Sequence, residues 1–271
     1  MDARVAIVTG GTFGIGAAIS VDLARRGWRV VAFGLDAPQL SSVAQDGSRT
    51  LRTELRAQGL EADVMEADVS KATDVQRIVD HAMGRYARID ALVNNAAIGP
   101  LGGVLQTAED VWDRVIDVNL KGAYLCCKAA LPHMIARGGG AIVNVGSGAG
   151  WGKPNMAAYS ASKGGLLALG MALAYDHFQD RIRVNTVVPG GGGIVTGMSL
   201  GRLGGDPTRL NPTRLDPTRL AARKPAGTVA GRSTTPQDVA NAVAFLLSDE
   251  AAVISGTVLD VGCFAHQGGR A

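Results

Sequence analysis

The run Gly10-Gly11-Thr12-Phe13-Gly14-Ile15-Gly16 follows an apolar segment, Arg4 to Thr9, and precedes a helical pattern that reaches about Arg26. Strand, glycine turn and helix in that order make the opening of a βαβ unit, and no other stretch narrows the fold as far. The glycines let the backbone approach a pyrophosphate, while the amides at the helix N-terminus receive its charge. Alone, a glycine cluster says little. Its place between strand and helix makes Gly10, Thr12, Phe13, Gly14, Ile15 and Gly16 candidate cofactor-binding residues.

A second strand, Arg29 to Phe33, ends at Gly34-Leu35-Asp36. Asp36 stands where an acidic side chain accepts hydrogen bonds from an adenine ribose; a turn or helix N-cap before Pro38 is the alternative role. No Arg or Lys occupies Thr12, Phe13, Gly34 or Leu35 to neutralise a ribose phosphate, so NAD is expected in preference to NADP, with NADP kept open. The periodicity then predicts a helix over Pro38–Gln58, a strand over Asp63–Ala67 leading to Asp68-Val69, a helix to about Tyr86 and a strand over Ile89–Val93. That strand delivers Asn94-Asn95-Ala96-Ala97 to a carboxyl edge, where open α/β sheets bind ligands. A long helix, in one piece or two, is expected over Ala108–Arg137, with Asn119 set among apolar Val115, Ile116, Val118, Leu120 and Leu125. Strands over Ala141–Val145, Arg183–Val188 and Thr257–Val261, and a helix over Pro236–Leu247, complete the alternation. The class is therefore α/β, a doubly wound parallel sheet of the Rossmann type in a single domain over residues 1–271.

Chemistry concentrates between Ser147 and Lys163. If a helix begins near Ala157, Tyr159 and Lys163 stand four residues apart on one face. A free phenol titrates near pH 10 and is a poor base at neutrality, but a neighbouring ammonium favours the phenolate. Ser147, arriving from a strand end, can hydrogen-bond the oxygen whose protonation changes.

Composition excludes other classes. Hydrophobic residues make up 46% of the 271 and aromatics only 4%, with 37 glycines, which suits tightly packed helices on a buried parallel sheet. Three cysteines, two of them the adjacent Cys126 and Cys127, lack metal-ligand spacing and a disulfide framework. No metal site and a reducing, cytoplasmic setting are expected. No run approaches the ~18 apolar residues of a membrane span, and a net charge of +3 does not argue for nucleic acid.

One segment breaks the alternation. Ser199 to Gly231 contains Asp206-Pro-Thr-Arg-Leu, Asn211-Pro-Thr-Arg-Leu and Asp216-Pro-Thr-Arg-Leu, whose prolines forbid a continuous helix. Arg202, Arg209, Arg214, Arg219, Arg223 and Lys224 outnumber Asp206 and Asp216 there, so the chain's basic excess belongs to this segment. It reads as an inserted flap over the active site at 199–231, pairing an anionic substrate group or simply solvated.

Together these residues resemble the short-chain dehydrogenase/reductase family over nearly the whole chain. The matching marks are Thr9-Gly10 with Gly14-Ile15-Gly16, Asp68-Val69, Asn94-Asn95-Ala96, Asn119, Ser147, Tyr159 with Lys163, Pro189-Gly190 and Thr196. The resemblance implies an NAD(P)-dependent oxidoreductase acting on a small-molecule alcohol or carbonyl. It implies Tyr159 as acid/base, Ser147 as the residue that positions the substrate oxygen, and Lys163 as modulator of the phenol and holder of the nicotinamide ribose. Asn119 would hold a relay water; Asp68 and Val69 would contact adenine, and Thr196 the carboxamide. Asn95, Ala96, Pro189 and Gly190 complete the implied cofactor set. The family's pairing of long helices implies a homotetramer, with a dimer second. This sequence departs from the pattern at Ala97, at Gly34, in the long glycine stretch before Thr196 and at Val261-Gly262-Cys263. Two alternatives stay open: an NADPH-dependent 3-oxoacyl thioester reductase and a non-catalytic nucleotide-sensing relative.

Overall fold

Strands β1 (Val5–Thr9) and β2 (Arg29–Gly34) pair in parallel, Val5 beside Arg29 and Thr9 beside Phe33. On its other edge β1 takes β4 (Ala91–Asn94), with Ala6 opposite Ala91. The sheet extends through β3 (Asp63–Glu66) on one side and β5 (Gly140–Val145), β6 (Ile182–Pro189) and β7 (Val258–Val261) on the other. All seven strands run parallel in the order β3-β2-β1-β4-β5-β6-β7. The winding reverses at β1/β4, which opens a crevice beyond the strands' carboxyl ends at that point. The computed structural model describes residues 3–35, 47–190, 194 and 228–262.

Residue alternation along β1 explains the layers. Ala6 and Val8 face a cluster with Ile19 and Leu23 of α1 (Gly14–Arg25), and Val239 and Val243 of α7 (Pro236–Leu247). Ile7, between them, faces the opposite layer. There it meets Ile78 and Ala82 of α3 (Ala72–Tyr86), and Cys126, Ala130 and Met134 of α5 (Gly122–Arg137). Side chains of successive strand residues point to opposite faces, so a strand covered on both sides must be apolar throughout. Val5 to Thr9 is buried along its whole length. Each fully buried Ile or Leu contributes about 2 kcal/mol by burial, which is what the two helical layers supply to the sheet.

The expected alternation is present, with differences at element ends. β4 begins at Ala91 and not Ile89; just before it the Asp90 carboxylate takes the Val5 amide at 2.8 Å and pairs with Arg88 at 2.8 Å and Arg137 at 2.7 Å. The helix expected from Pro38 is described as α2 (Gly47–Ala57); Pro38 to Asp46 lie outside the described residues. Pro236 is the first residue of α7, capped by Thr235 in a reciprocal pair with Asp238. The long helix is two: α4 (Glu109–Ile116) and α5, joined by a π turn over Asp117–Lys121. Of the 199–231 segment only residues 228–231 are described, as a turn. No described helix is long and apolar enough to cross a membrane.

Candidate active site

The glycine run forms the turn between β1 and α1, and its shape follows from missing side chains. Gly10 has φ +57°, and a Cβ on Gly16 would lie 2.0 Å from the Gly10 carbonyl oxygen. The turn is held from the neighbouring strand end. Asn95 Nδ2 donates to the carbonyls of Thr9 (3.0 Å) and Gly10 (2.9 Å), and the amides of Asn95 and Ala96 donate to Thr9 Oγ1 at 3.0 and 2.9 Å. Ser20 Oγ donates to the Gly11 and Gly16 carbonyls at 3.0 and 2.9 Å. Asn95 thus acts through the loop, since both hydrogens of its amide group are spent on loop carbonyls. Phe13 is an N-cap without a side-chain cap bond, so the first amides of α1, at Gly14, Ile15 and Gly16, are left without a capping side chain and suit an anion.

Thr12 gives the cradle its ligand-facing character. Its side chain is 2% exposed, yet Oγ1 has no hydrogen-bond partner among the described residues. It stands against the end of β2, where a Cβ on Gly34 would come within 2.8 Å of it. A buried hydroxyl without a partner costs about 1–3 kcal/mol, and a bound ribose is the kind of group that removes that cost. The cradle therefore fits a dinucleotide: Gly14 to Gly16 would hold the pyrophosphate, with Thr12 and Gly34 beside the ribose. Asp36 and Thr196 lie outside the described residues.

Elsewhere on this edge, Asp68 Oδ1 accepts from the Ser70 amide (3.0 Å) and hydroxyl (2.7 Å). Val69 is buried beneath Gly122, where a Cβ would meet its methyl at 2.9 Å. Pro189 and Gly190 continue β6 alongside Val261, the Gly190 amide donating to the Val261 carbonyl at 2.6 Å.

Across the crevice, β5 ends just before Ser147, which caps a 3₁₀ turn over Gly148–Trp151 by accepting from the Ala149 amide at 3.2 Å. The chain returns into α6 (Ala157–Asp176), whose first turn carries Tyr159. Tyr159 is buried to 7% exposure among Ala149, Met156 and Leu101. That apolar wall is fixed by a bridge: the Gly102 amide donates to the Asn155 carbonyl, and the Ala157 amide to the Gly102 carbonyl, both at 2.9 Å. One turn along α6, Lys163 is 2% exposed with Nζ donating to the Val145 carbonyl at 2.8 Å and lying 5.9 Å from the centre of the Tyr159 ring. Burial lowers its ammonium from 10.5 to about 8. The structure therefore brings Ser147, Tyr159 and Lys163 to one edge, as their spacing predicts.

Asn119 occupies the π turn, 1% exposed. Its Oδ1 accepts from the Ile98 amide at 2.8 Å, and Nδ2 donates to the Ile98 carbonyl at 2.8 Å and to Ser162 Oγ at 3.0 Å. Both amide hydrogens are committed, so its side chain can offer a relay water only the remaining lone pair of Oδ1. Ser162 and the Val145 carbonyl are not among the residues that the sequence singles out. A serine inside a helix and a main-chain carbonyl carry no signal of their own; the one hint was the adjacency of Ser162 to Lys163.

Residues 4–201 match the model of the short chain dehydrogenase family. The chain is 38% identical over 261 residues to 2-(S)-hydroxypropyl-CoM dehydrogenase 3 of Xanthobacter autotrophicus, covering 95% of this chain and 94% of that one. It is 37% identical over 260 residues to cis-4-hydroxycyclohexanecarboxylate dehydrogenase of Sinomonas cyclohexanicum, with 95% and 94% covered. Among solved structures it resembles an actinorhodin polyketide ketoreductase variant with NADPH, at a TM-score of 0.83 and 32% identity over 98% of each chain.

Proposed function

Because the chain belongs to the short-chain dehydrogenase/reductase family and interconverts an alcohol and a ketone with NAD(P), we propose that Tyr159 is its acid/base and Ser147, Lys163 and Asn119 its supporting set. The observation that carries this reading is the buried Lys163 ammonium over the Tyr159 ring, one helical turn apart, with Ser147 on the same side of the crevice just beyond the end of β5. In the oxidative direction Tyr159 Oη takes the proton of the substrate hydroxyl, Ser147 Oγ orients that oxygen, and Lys163 stabilises the phenolate. The cofactor, with its pyrophosphate held at Gly14 to Gly16, would supply the hydride acceptor in this direction. The Met156–Leu101 wall excludes water from the reacting carbon.

NAD is the preferred cofactor in this reading, supported by the lack of a cation at Thr12, Phe13, Gly34 and Leu35 and by Asp36 in the sequence. The substrate carries an anionic group, supported by the basic excess of the 199–231 segment and by the carboxylate in the name of one relative. The enzyme works in the cytoplasm as a homotetramer, with a dimer second; exposed Tyr175 and Phe178 on and after α6 are apolar surface that association would cover. A second reading, an NADPH-dependent reductase of thioester-bound ketones, is favoured by Gly34, which leaves the end of β2 without a carboxylate, and by the NADPH of the ketoreductase neighbour.

Steady-state kinetics with NAD and NADP, on paired alcohols with and without a carboxylate, separates the two. The first reading expects a higher kcat/KM with NAD and with the carboxylate-bearing alcohol. A higher kcat/KM with NADPH on a 3-oxoacyl thioester would replace it with the second.

A further inference from the structure

Ser162 is fully buried one residue before Lys163, and its hydroxyl is used twice. It donates to the Tyr159 carbonyl at 2.8 Å and accepts from Asn119 Nδ2 at 3.0 Å. Asn119 in turn clamps both main-chain polar groups of Ile98 at 2.8 Å. A continuous hydrogen-bonded chain thus runs from the loop after β4, through the π turn, into the first turn of α6. Around the helix axis, Ser162 lies about 60° to one side of Tyr159 and Lys163 about 40° to the other. The acid/base is flanked on one side by the bond to Asn119 and on the other by the bond from Lys163 to the Val145 carbonyl.

We propose that Ser162 is a positioning residue for the reaction: by joining Asn119 to the Tyr159 carbonyl it fixes the rotation of the first turn of α6, and so the place of the phenol oxygen relative to the Ile98 loop and Ser147. The hydroxyl touches no reacting atom and acts through Tyr159. α6 begins without a side-chain cap bond at Met156, so the first turn has no anchor of that kind. A serine bonding back to a carbonyl in its own helix slightly destabilises that helix; here the same hydroxyl gains an external, fully buried partner that ties the helix to the π turn.

The inference rests on Tyr159 being the acid/base, and the test separates the two. Wild type, Tyr159→Phe, Ser162→Ala and Ser162→Thr are compared for NAD affinity by titration calorimetry and for kcat and KM on one alcohol. Ser162→Ala is expected to lower kcat about 10- to 100-fold, as misplacement of a catalytic group does, with NAD affinity within about twofold of wild type. KM is expected to change little, and Ser162→Thr, which keeps the hydroxyl, to recover most of the loss. Wild-type kcat in Ser162→Ala beside an inactive Tyr159→Phe overturns the role of Ser162 alone, and an active Tyr159→Phe overturns the premise. A Thr variant as slow as Ala overturns the role of the Ser162 hydroxyl. Should Ser162→Ala fail to fold, Ser162→Cys keeps the volume with weaker bonds and is held to the same outcomes.

Discussion

The buried polar side chains next to Tyr159 and the one in the glycine cradle are treated in opposite ways. On the β5–α6 side, Asn119, Ser162 and Lys163 are bonded to one another or to main chain, with Asn119 using both amide hydrogens and Ser162 both donating and accepting. On the β1–β2 side, Thr12 Oγ1 is buried with no partner among the described residues, and space is kept by missing Cβ atoms at Gly10, Gly16 and Gly34. Those three side chains around Tyr159 are satisfied by the protein itself. The cradle is shaped to be finished by a ligand. Preorganised groups lose no freedom when charge moves, whereas an orphan hydroxyl makes the empty cradle less stable than the filled one.

The contrast breaks most visibly at Tyr159. Tyr159→Phe removes one oxygen from the β5–α6 side, and turnover should fall by a factor on the order of 10² or more. Retained turnover in the purified variant would end the mechanism.

Lys163 sharpens the contrast through pH. Its folded-state ammonium is pulled from 10.5 down to about 8 by burial. Between those values the unfolded chain holds a proton that the folded chain has released, so stability rises with pH across that window, by up to about 1.4 kcal/mol per unit. Cys126 and Cys127 act in the opposite sense, because burial raises both thiols above 9. Denaturant titrations of the cofactor-free protein isolate the lysine when wild type is compared with Lys163→Met. Wild type should gain on the variant from pH 8 to 10; a difference flat with pH contradicts the burial argument.

The smallest effect belongs to the cradle, and its sign is the informative part. Thr12→Val replaces the orphan hydroxyl by a methyl of similar size. Without cofactor the variant should be more stable by about 1 kcal/mol, while NAD binds several-fold more weakly. A variant that loses stability and keeps its affinity would mean that Thr12 is ordinary packing.

Much of this arrangement was legible in the residues because it depends on local rules. Short continuous apolar runs marked the strands, Pro236 the start of α7, and the spacing of Tyr159 from Lys163 placed both on one helical face. What escaped depends on contacts distant in sequence. Asn119 lies among apolar neighbours in a helical pattern, and nothing local announces the π turn, whose Asn119 side chain docks on the Ile98 main chain. Asn95 was legible as a polar residue at a strand end, but not as a brace that donates back to Thr9 and Gly10 across the β1–β4 gap. Ser162 was silent for the same reason: its importance lies in a partner on another element.

The central claim is that the acid/base chemistry and the cradle for the cofactor's pyrophosphate and adenosine end are built on separate sides of the crevice, and calorimetric titration of NAD into the Tyr159→Phe protein tests it most directly. The account predicts a Kd within about twofold of wild type in a protein whose turnover has dropped on the order of 10²-fold. Loss of NAD affinity in step with turnover would contradict it, because the phenol oxygen would then belong to the cradle as much as to the chemistry.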